Sequence, residues 1–141
     1  MPTDANTALI QSAYADFQKG DIASLLARLT DDVSWTTPYP PEIVPHGGSR
    51  IGKERVREFF TELARGYDFT RFEPHEFISS GDAVVVLLSI AGIARATGLP
   101  AANEAAHLFR VRDGKVCEFR EYADASPVIA AYAPQAAGVR K

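Results

Sequence analysis

The stretch that most constrains the fold is Ala105-Ala-His-Leu-Phe-Arg-Val-Arg-Asp-Gly-Lys-Val-Cys-Glu-Phe-Arg-Glu-Tyr122. Two alternating runs meet at Asp113-Gly114, the strongest short-range signal for a β-hairpin. A two-residue turn sets His107 opposite Arg120. A three-residue loop, Arg112-Asp113-Gly114 with Gly114 at positive φ, sets His107 opposite Phe119. The hydrophobic pattern favours the loop. It gathers Ala105, Phe109, Val111, Cys117, Phe119 and Ala123 on one face, with only His107 and Glu121 polar among them. Arg110, Glu118, Arg120 and Tyr122 take the other face. Pattern fixes register because a one-residue slip reverses every side chain.

On this register His107 and Glu121 are diagonal neighbours on an apolar wall, roughly 7–8 Å apart at Cα and within reach through long side chains. Burying an ionisable group is costly unless it is paired, and it shifts the pKa. A group tuned this way can move protons near neutral pH, which makes Glu121 and His107 candidate catalytic residues. The plainer alternative is a buried hydrogen bond that only ties two strands. Cys117 shares the expected inward face but reads as a small core residue.

A chain of 141 residues suits one domain, 1–141, with a core over about 5–133. The formal net charge of -3 and the lack of a basic stripe argue against a nucleic-acid partner. One cysteine makes no internal disulfide, and no cluster has metal-ligand spacing, so neither metal nor cofactor is expected. No basic segment followed by an apolar core opens the chain. Its longest apolar run, Ala83 to Ala94, is too short to span a bilayer. The expectation is a cytoplasmic protein with no membrane partner.

Asp4 can cap a first helix over 5–19, where Leu9, Ala13 and Phe17 recur at helical spacing beside Ile10 and Tyr14. If buried, the Tyr14 hydroxyl needs a partner or a pocket. Gly20 stops this helix, and Asp21 caps a short second one. A strand over 33–37 puts Val33, Trp35 and Thr37 on one face. Four prolines and Gly47-Gly48 make 38–50 an irregular loop of the kind that forms a lid or rim. His46 in that loop is a secondary candidate for ligand contact. A third helix over 53–65 buries Val56, Phe59, Phe60 and Leu63, and its charged residues read as a solvated face.

A strand over 68–79 carries Pro74, which points to a bulge or an edge. The next, from Ala83 to about Thr97, is apolar on both faces and needs cover on both. Helices cover one; a second subunit is expected on the other, giving a homodimer through the outer sheet face. The hairpin follows, then a short helix with Ser126 as cap and Pro127 at its first position. Residues 134–141 are expected to fray. Helix, helix, strand, helix and four successive antiparallel strands make an α+β domain, with helices on one side of a curved sheet. The His107–Glu121 wall faces the conical space between them, with Trp35 and Thr37 beside it and Phe17, Phe60, Phe109 and Phe119 lining it.

The chain resembles the nuclear transport factor 2-like superfamily, in particular its SnoaL-like polyketide cyclase and ketosteroid isomerase-like branch. The resemblance covers roughly residues 7–124. It rests on Tyr14-Ala-Asp-Phe-Gln-Lys-Gly-Asp21, Asp31-Asp-Val-Ser-Trp-Thr-Thr-Pro38, Gly48-Ser-Arg-Ile-Gly52 and Phe109 to Tyr122, taken in order. It implies a cone-shaped α+β barrel (a cystatin-like roll) whose curved antiparallel sheet packs against three helices from the N-terminal half. It also implies a deep pocket and a dimer. Glu121 is similar to the cyclases' acid/base carboxylate on the last strand. The run around Glu121 is similar to that of limonene epoxide hydrolase, and Trp35-x-Thr37 resembles its Tyr-x-Asn pair. The partner strand 101–109 has no Arg, however, which disfavours epoxide hydrolysis. Against ketosteroid isomerase, His107 maps to the oxyanion-hole position, Tyr14 falls within one residue of a helix-one Tyr, and Thr37 stands where the base belongs. Thr37 cannot act as a base.

Three functions are open, because fold does not settle function. In the first, a cofactor-free acid/base enzyme uses Glu121, His107 and Tyr14 to isomerise or cyclise a small apolar carbonyl compound. In the second, the pocket binds an apolar molecule without turnover. In the third, the domain serves only dimerising association. Asp124 is the runner-up carboxylate; alternation points it away from His107 unless a bulge at Ala123 reverses the parity.

Overall fold

The computed structural model describes residues 4–133; the ends, including the 134–141 segment expected to fray, lie outside the described residues. Asp4 caps α1 (Ala5–Lys19) by accepting a hydrogen bond from Thr7 N at 2.7 Å, and Gly20 ends it at φ 75°. Asp21 caps α2 (Ile22–Ala27) through Ser24 N. Strand β1 (Leu29–Thr37) begins four residues before the expected Val33. A short strand, β2 (Gly48–Ile51), occupies the end of the stretch expected to be irregular. Helix α3 (Lys53–Gly66) buries the stripe its spacing predicts. Then come β3 (Tyr67–Ser80), β4 (Ala83–Ala94), β5 (Pro100–Arg112), β6 (Lys115–Ala123) and α4 (Ser126–Tyr132). The α4 cap is Ala125 rather than Ser126, which is already helical.

The six strands form one curved, unclosed sheet in the order β2-β1-β6-β5-β4-β3. β3 to β6 are antiparallel in succession, as the pattern predicts, and Pro74 sits at a register shift in β3. β1, however, lies parallel to β6, so the sheet is mixed rather than wholly antiparallel. Most of the chain separates those two strands, so no local turn fixes their direction.

The hairpin turn differs from the expected one. Arg112 pairs with Lys115 across a two-residue turn, with Asp113 at φ 52° and Gly114 at φ 77°. Cys117 is then an extra residue in β6: Val111 pairs with Val116, but Arg110 pairs with Glu118. This bulge turns Val116 into the core and moves Cys117 off the inward face expected for it, so that its thiol reaches Arg110 O. Beyond the bulge the parity equals that of a three-residue loop, and the pairing has moved on by two. His107 therefore sits directly opposite Glu121, not diagonal to it.

The concave face packs Val84, Val86, Leu88, Phe109 and Phe119 against Ile10 and Tyr14 of α1 and the α3 stripe. Leu29, Val33, Val84 and Val86 are fully buried, each worth about 1.5–3 kcal/mol. Tyr39, Val44, Ala94, Ala101, Val128 and Ala131 make a second cluster.

Candidate active site

Three regular elements converge on one hydrogen-bonded chain. Tyr14 of α1 places its hydroxyl 2.6 Å from His107 Nδ1 on β5, and His107 Nε2 lies 2.8 Å from Glu121 Oε2 on β6. All three side chains are buried. Glu121 Oε2 accepts a hydrogen bond from His107 Nε2, and in that tautomer Nδ1 accepts one from the Tyr14 hydroxyl. Direct cross-strand pairing holds the imidazole and carboxylate together, and a sheet gives this geometry little freedom.

These groups border a cavity of about 100 Å³ with a mainly aromatic wall. Trp35, Thr37, Phe17, Phe60, Phe109 and Phe119 all line it. Trp35 stacks on its parallel-strand neighbour Phe119 at 4.2 Å between centroids, and His107 meets the same ring edge-on at 4.8 Å. Phe17 packs on Phe60 and Phe72, closing the α1 side.

The loop after β1 contributes more than a rim. Thr37 Oγ1 donates to His46 O, Arg50 donates to Pro45 O at 2.9 Å, and Ile43 and Val44 both return their amides to Pro40 O. A Cβ on Gly47 would lie 2.2 Å from Tyr39 O, so only glycine allows the loop to fold this closely on itself. The result brings Tyr39 and His46 to 5.6 Å between rings, with His46 bracketed by Phe59, Tyr67 and Tyr132. Tyr67 enters the cone because Gly92 leaves room: a Cβ there would stand 2.3 Å from the phenol ring.

Several cavity-lining side chains carry buried polar atoms without a partner among the described residues: Trp35 Nε1, His46 Nδ1 and Tyr67 Oη. Each such atom costs about 1–3 kcal/mol in lost hydration. Tyr14, His107 and Glu121, by contrast, satisfy one another.

Burial pushes the Glu121 carboxyl up. The hydrogen bond from His107 outweighs it, with help from one from Tyr39, and holds the group below the ordinary carboxylate range. Burial, then the charge on Glu121, raises the Tyr14 phenol well above its usual value and so keeps it protonated. The same causes push Tyr67 up to about 12 and Tyr39 higher. Burial lowers His46 to about 4, against the pull of Glu121 and with the charge of Arg50. His46 is therefore neutral at pH 7.

Of the sequence-predicted residues, Glu121, His107, Tyr14, Trp35, Thr37, Phe17, Phe60, Phe109, Phe119 and His46 share this cavity. Asp124 does not. Ala123 pairs in register with Ala105, no bulge reverses the parity, and the exposed Asp124 accepts from Ser126 N at the start of α4. The sequence reading missed Tyr39, Tyr67 and Asn103, which line the cavity from a loop, a strand start and a half-buried position. The only available signals were Gly47 and Gly92, whose missing side chains admit the two tyrosines. Among the described residues, no group of three or more His, Cys, Asp or Glu side chains is arranged to hold a metal ion.

The fold has counterparts among solved structures. An NTF2-like protein of unknown function from Burkholderia pseudomallei matches with 27% identity and a TM-score of 0.84, over 93% of this chain and 99% of that one. TerC, co-crystallised with polyporic acid, matches with 28% identity and a TM-score of 0.78, over 92% and 98%. A Mesorhizobium loti protein described as a SnoaL-like polyketide cyclase matches at 18% identity and a TM-score of 0.68, over 82% and 96%, a likeness of fold alone. No curated protein sequence matches. The family model of the SnoaL-like domain matches residues 10–119, and the chain belongs to that family.

Proposed function

We propose that this SnoaL-like domain is a cofactor-free acid/base enzyme that removes a proton next to the carbonyl of a small apolar substrate and directs an isomerisation or an aldol-type ring closure. The observation that carries this reading is the buried Tyr14–His107–Glu121 chain on the wall of an aromatic cavity. Both His107 nitrogens are engaged, so Glu121 is the base. It takes the α-proton, and the C–H electron pair moves to the carbonyl oxygen as an enolate. The Tyr14 hydroxyl, kept protonated by burial and by the Glu121 charge, is the donor for the enolate oxygen, turning its hydrogen from His107 Nδ1 to that oxygen. Returning the proton to another carbon isomerises the substrate; attack of the enolate carbon on a second carbonyl closes a ring. A positioned acid/base pair of this kind contributes on the order of 10²–10⁴-fold. TerC, co-crystallised with polyporic acid, supports a small organic ligand for this fold.

The rival reading, a pocket that only holds a ligand, draws on one observation: Glu121 is held ionised and hydrogen-bonded, as in a fixed strut. Deuterium exchange from D2O into the α-carbons of small cyclic ketones, followed by NMR, separates the two. Acceleration of at least about 10²-fold over buffer is expected of the enzyme; none, with binding intact, is expected of the holder.

The proposal extends to a cytoplasmic homodimer. No helix among the described residues is long and apolar enough to cross a membrane. Leu87, Ile93, Ile78 and Tyr122 are exposed on the sheet face away from the helices, where a second copy would cover them. Sedimentation at twice the monomer mass, reduced to monomer by Leu87→Glu, is the expected result.

A further inference from the structure

Resting on the reading of Glu121 as the base, we propose that Tyr39 is a positioning residue for that base. From the loop after β1 its hydroxyl holds the Glu121 carboxylate in place, and Asn103 holds the Tyr39 hydroxyl in turn. The loop between β1 and β2 then belongs to the catalytic machinery and is more than a rim.

Three observations converge. First, Tyr39, Asn103 and Glu121 line the same cavity, from the loop, β5 and β6. The Tyr39 hydroxyl donates a hydrogen bond to the Glu121 carboxylate, and the Asn103 amide donates one to the Tyr39 oxygen. Asn103 Nδ2 also reaches Asp124 O at 3.3 Å, which ties this amide to the chain just beyond β6. With His107 Nε2 at 2.8 Å from Oε2, the carboxylate is gripped from β5 and from the loop. Second, packing sets the Tyr39 ring independently of its hydroxyl. The ring clusters with Val44, with Ala101 of β5 and with Val128 of α4, and the glycine at position 47 lets the loop close on the Tyr39 backbone. Third, the other phenols near Glu121 do not do this work. Tyr14 meets His107 Nδ1, and Tyr67 Oη has no partner among the described residues.

A carboxylate held by two donors keeps one orientation and stays ionised. Losing one donor leaves it freer to turn and easier to protonate. A phenol whose oxygen accepts a hydrogen bond donates more strongly, so Asn103 strengthens the grip. The titratable groups that face Glu121 are His107 from β5 with Tyr14 of α1 behind it, Tyr39 and His46 from the loop, and Tyr67 from β3; Arg50 stands behind His46. Tyr39→Phe removes one hydroxyl from this set and keeps the packed ring.

The test titrates the Glu121 side-chain carboxyl by carbon-13 NMR in wild type, Tyr39→Phe and Asn103→Leu. We expect the midpoint to rise by about one pH unit in Tyr39→Phe, the loss of one hydrogen bond to a charged group. Asn103→Leu should move it less, in the same direction. The acid limb of kcat/KM for α-deuterium exchange into cyclohexane-1,4-dione should move with the carboxyl, and its plateau should fall about tenfold in Tyr39→Phe. A tyrosine that only packs would change thermal stability and leave both midpoints where they are. An unmoved carboxyl midpoint in Tyr39→Phe, or in Asn103→Leu if the first variant does not fold, overturns the proposal. So does an acid limb that stays put while the carboxyl midpoint moves. Loss of the catalytic reading looks different: the carboxyl midpoint moves as expected while wild-type protein exchanges the α-protons no faster than buffer.

Discussion

Two groups of cavity-lining residues are built from similar side chains in opposite ways. Tyr14, His107 and Glu121 sit on a helix and two adjacent strands, and each polar atom at their contacts meets another. Trp35, His46 and Tyr67 sit on a strand, a strapped loop and the first residue of β3, and carry polar atoms that meet none among the described residues. Both groups are buried and ringed with aromatics. The difference is that one group pairs its polar atoms within the chain, while the other leaves polar atoms unpaired among the described residues. Aromatic packing lets the fold tolerate the second condition: the rings that carry the unpaired atoms still bury large apolar faces.

That contrast breaks most sharply if the paired group is cut. His107→Leu strands the buried Glu121 carboxylate, and a loss of about 3–5 kcal/mol in urea unfolding is expected; a loss below about 1 kcal/mol would mean that water already reaches the carboxylate. The next effect comes from pH. His46 is lowered from 6.5 to about 4, so between those values the unfolded chain binds more protons than the folded one. Stability therefore falls as pH drops from 6.5 towards 4, by on the order of 3 kcal/mol in total. Glu121, also lowered, contributes stability that is present above 4.5 and lost below it. Unfolding curves of His46→Phe should lose the upper part of this acid limb and keep the lower. The smallest effects compare two phenol deletions. Tyr14→Phe leaves His107 Nδ1 unpaired and should cost about 1–3 kcal/mol, whereas Tyr67→Phe removes an unpaired hydroxyl and should be neutral or slightly stabilising. Equal costs would erase the distinction between the groups.

The sequence carries the paired group better than the unpaired one. Alternation along 105–123 already puts His107 and Glu121 on one apolar face, because parity survives an error of two residues in register. It says nothing of the bulge at Cys117, since a tight turn plus one extra residue and a longer loop produce the same parity. Caps and apolar spacing locate α1, α2 and α3. The parallel contact of β1 with β6 has no local signature, because it depends on how the whole sheet closes around the core. Tyr39 and His46 lie in a loop without periodicity, so only the fold reveals that both rings face inward. Whether a buried polar atom is paired is a property of three-dimensional packing, which makes Trp35 readable as a wall residue but not as a donor in want of an acceptor.

The central claim is that Glu121 takes the proton. The direct measurement is α-deuterium exchange into cyclohexane-1,4-dione by wild-type protein and by Glu121→Gln, each shown to be folded by near-ultraviolet circular dichroism. The account predicts a fall of about 10²–10⁴-fold to the buffer rate in Glu121→Gln. A folded Glu121→Gln protein that exchanges as fast as wild type would contradict it.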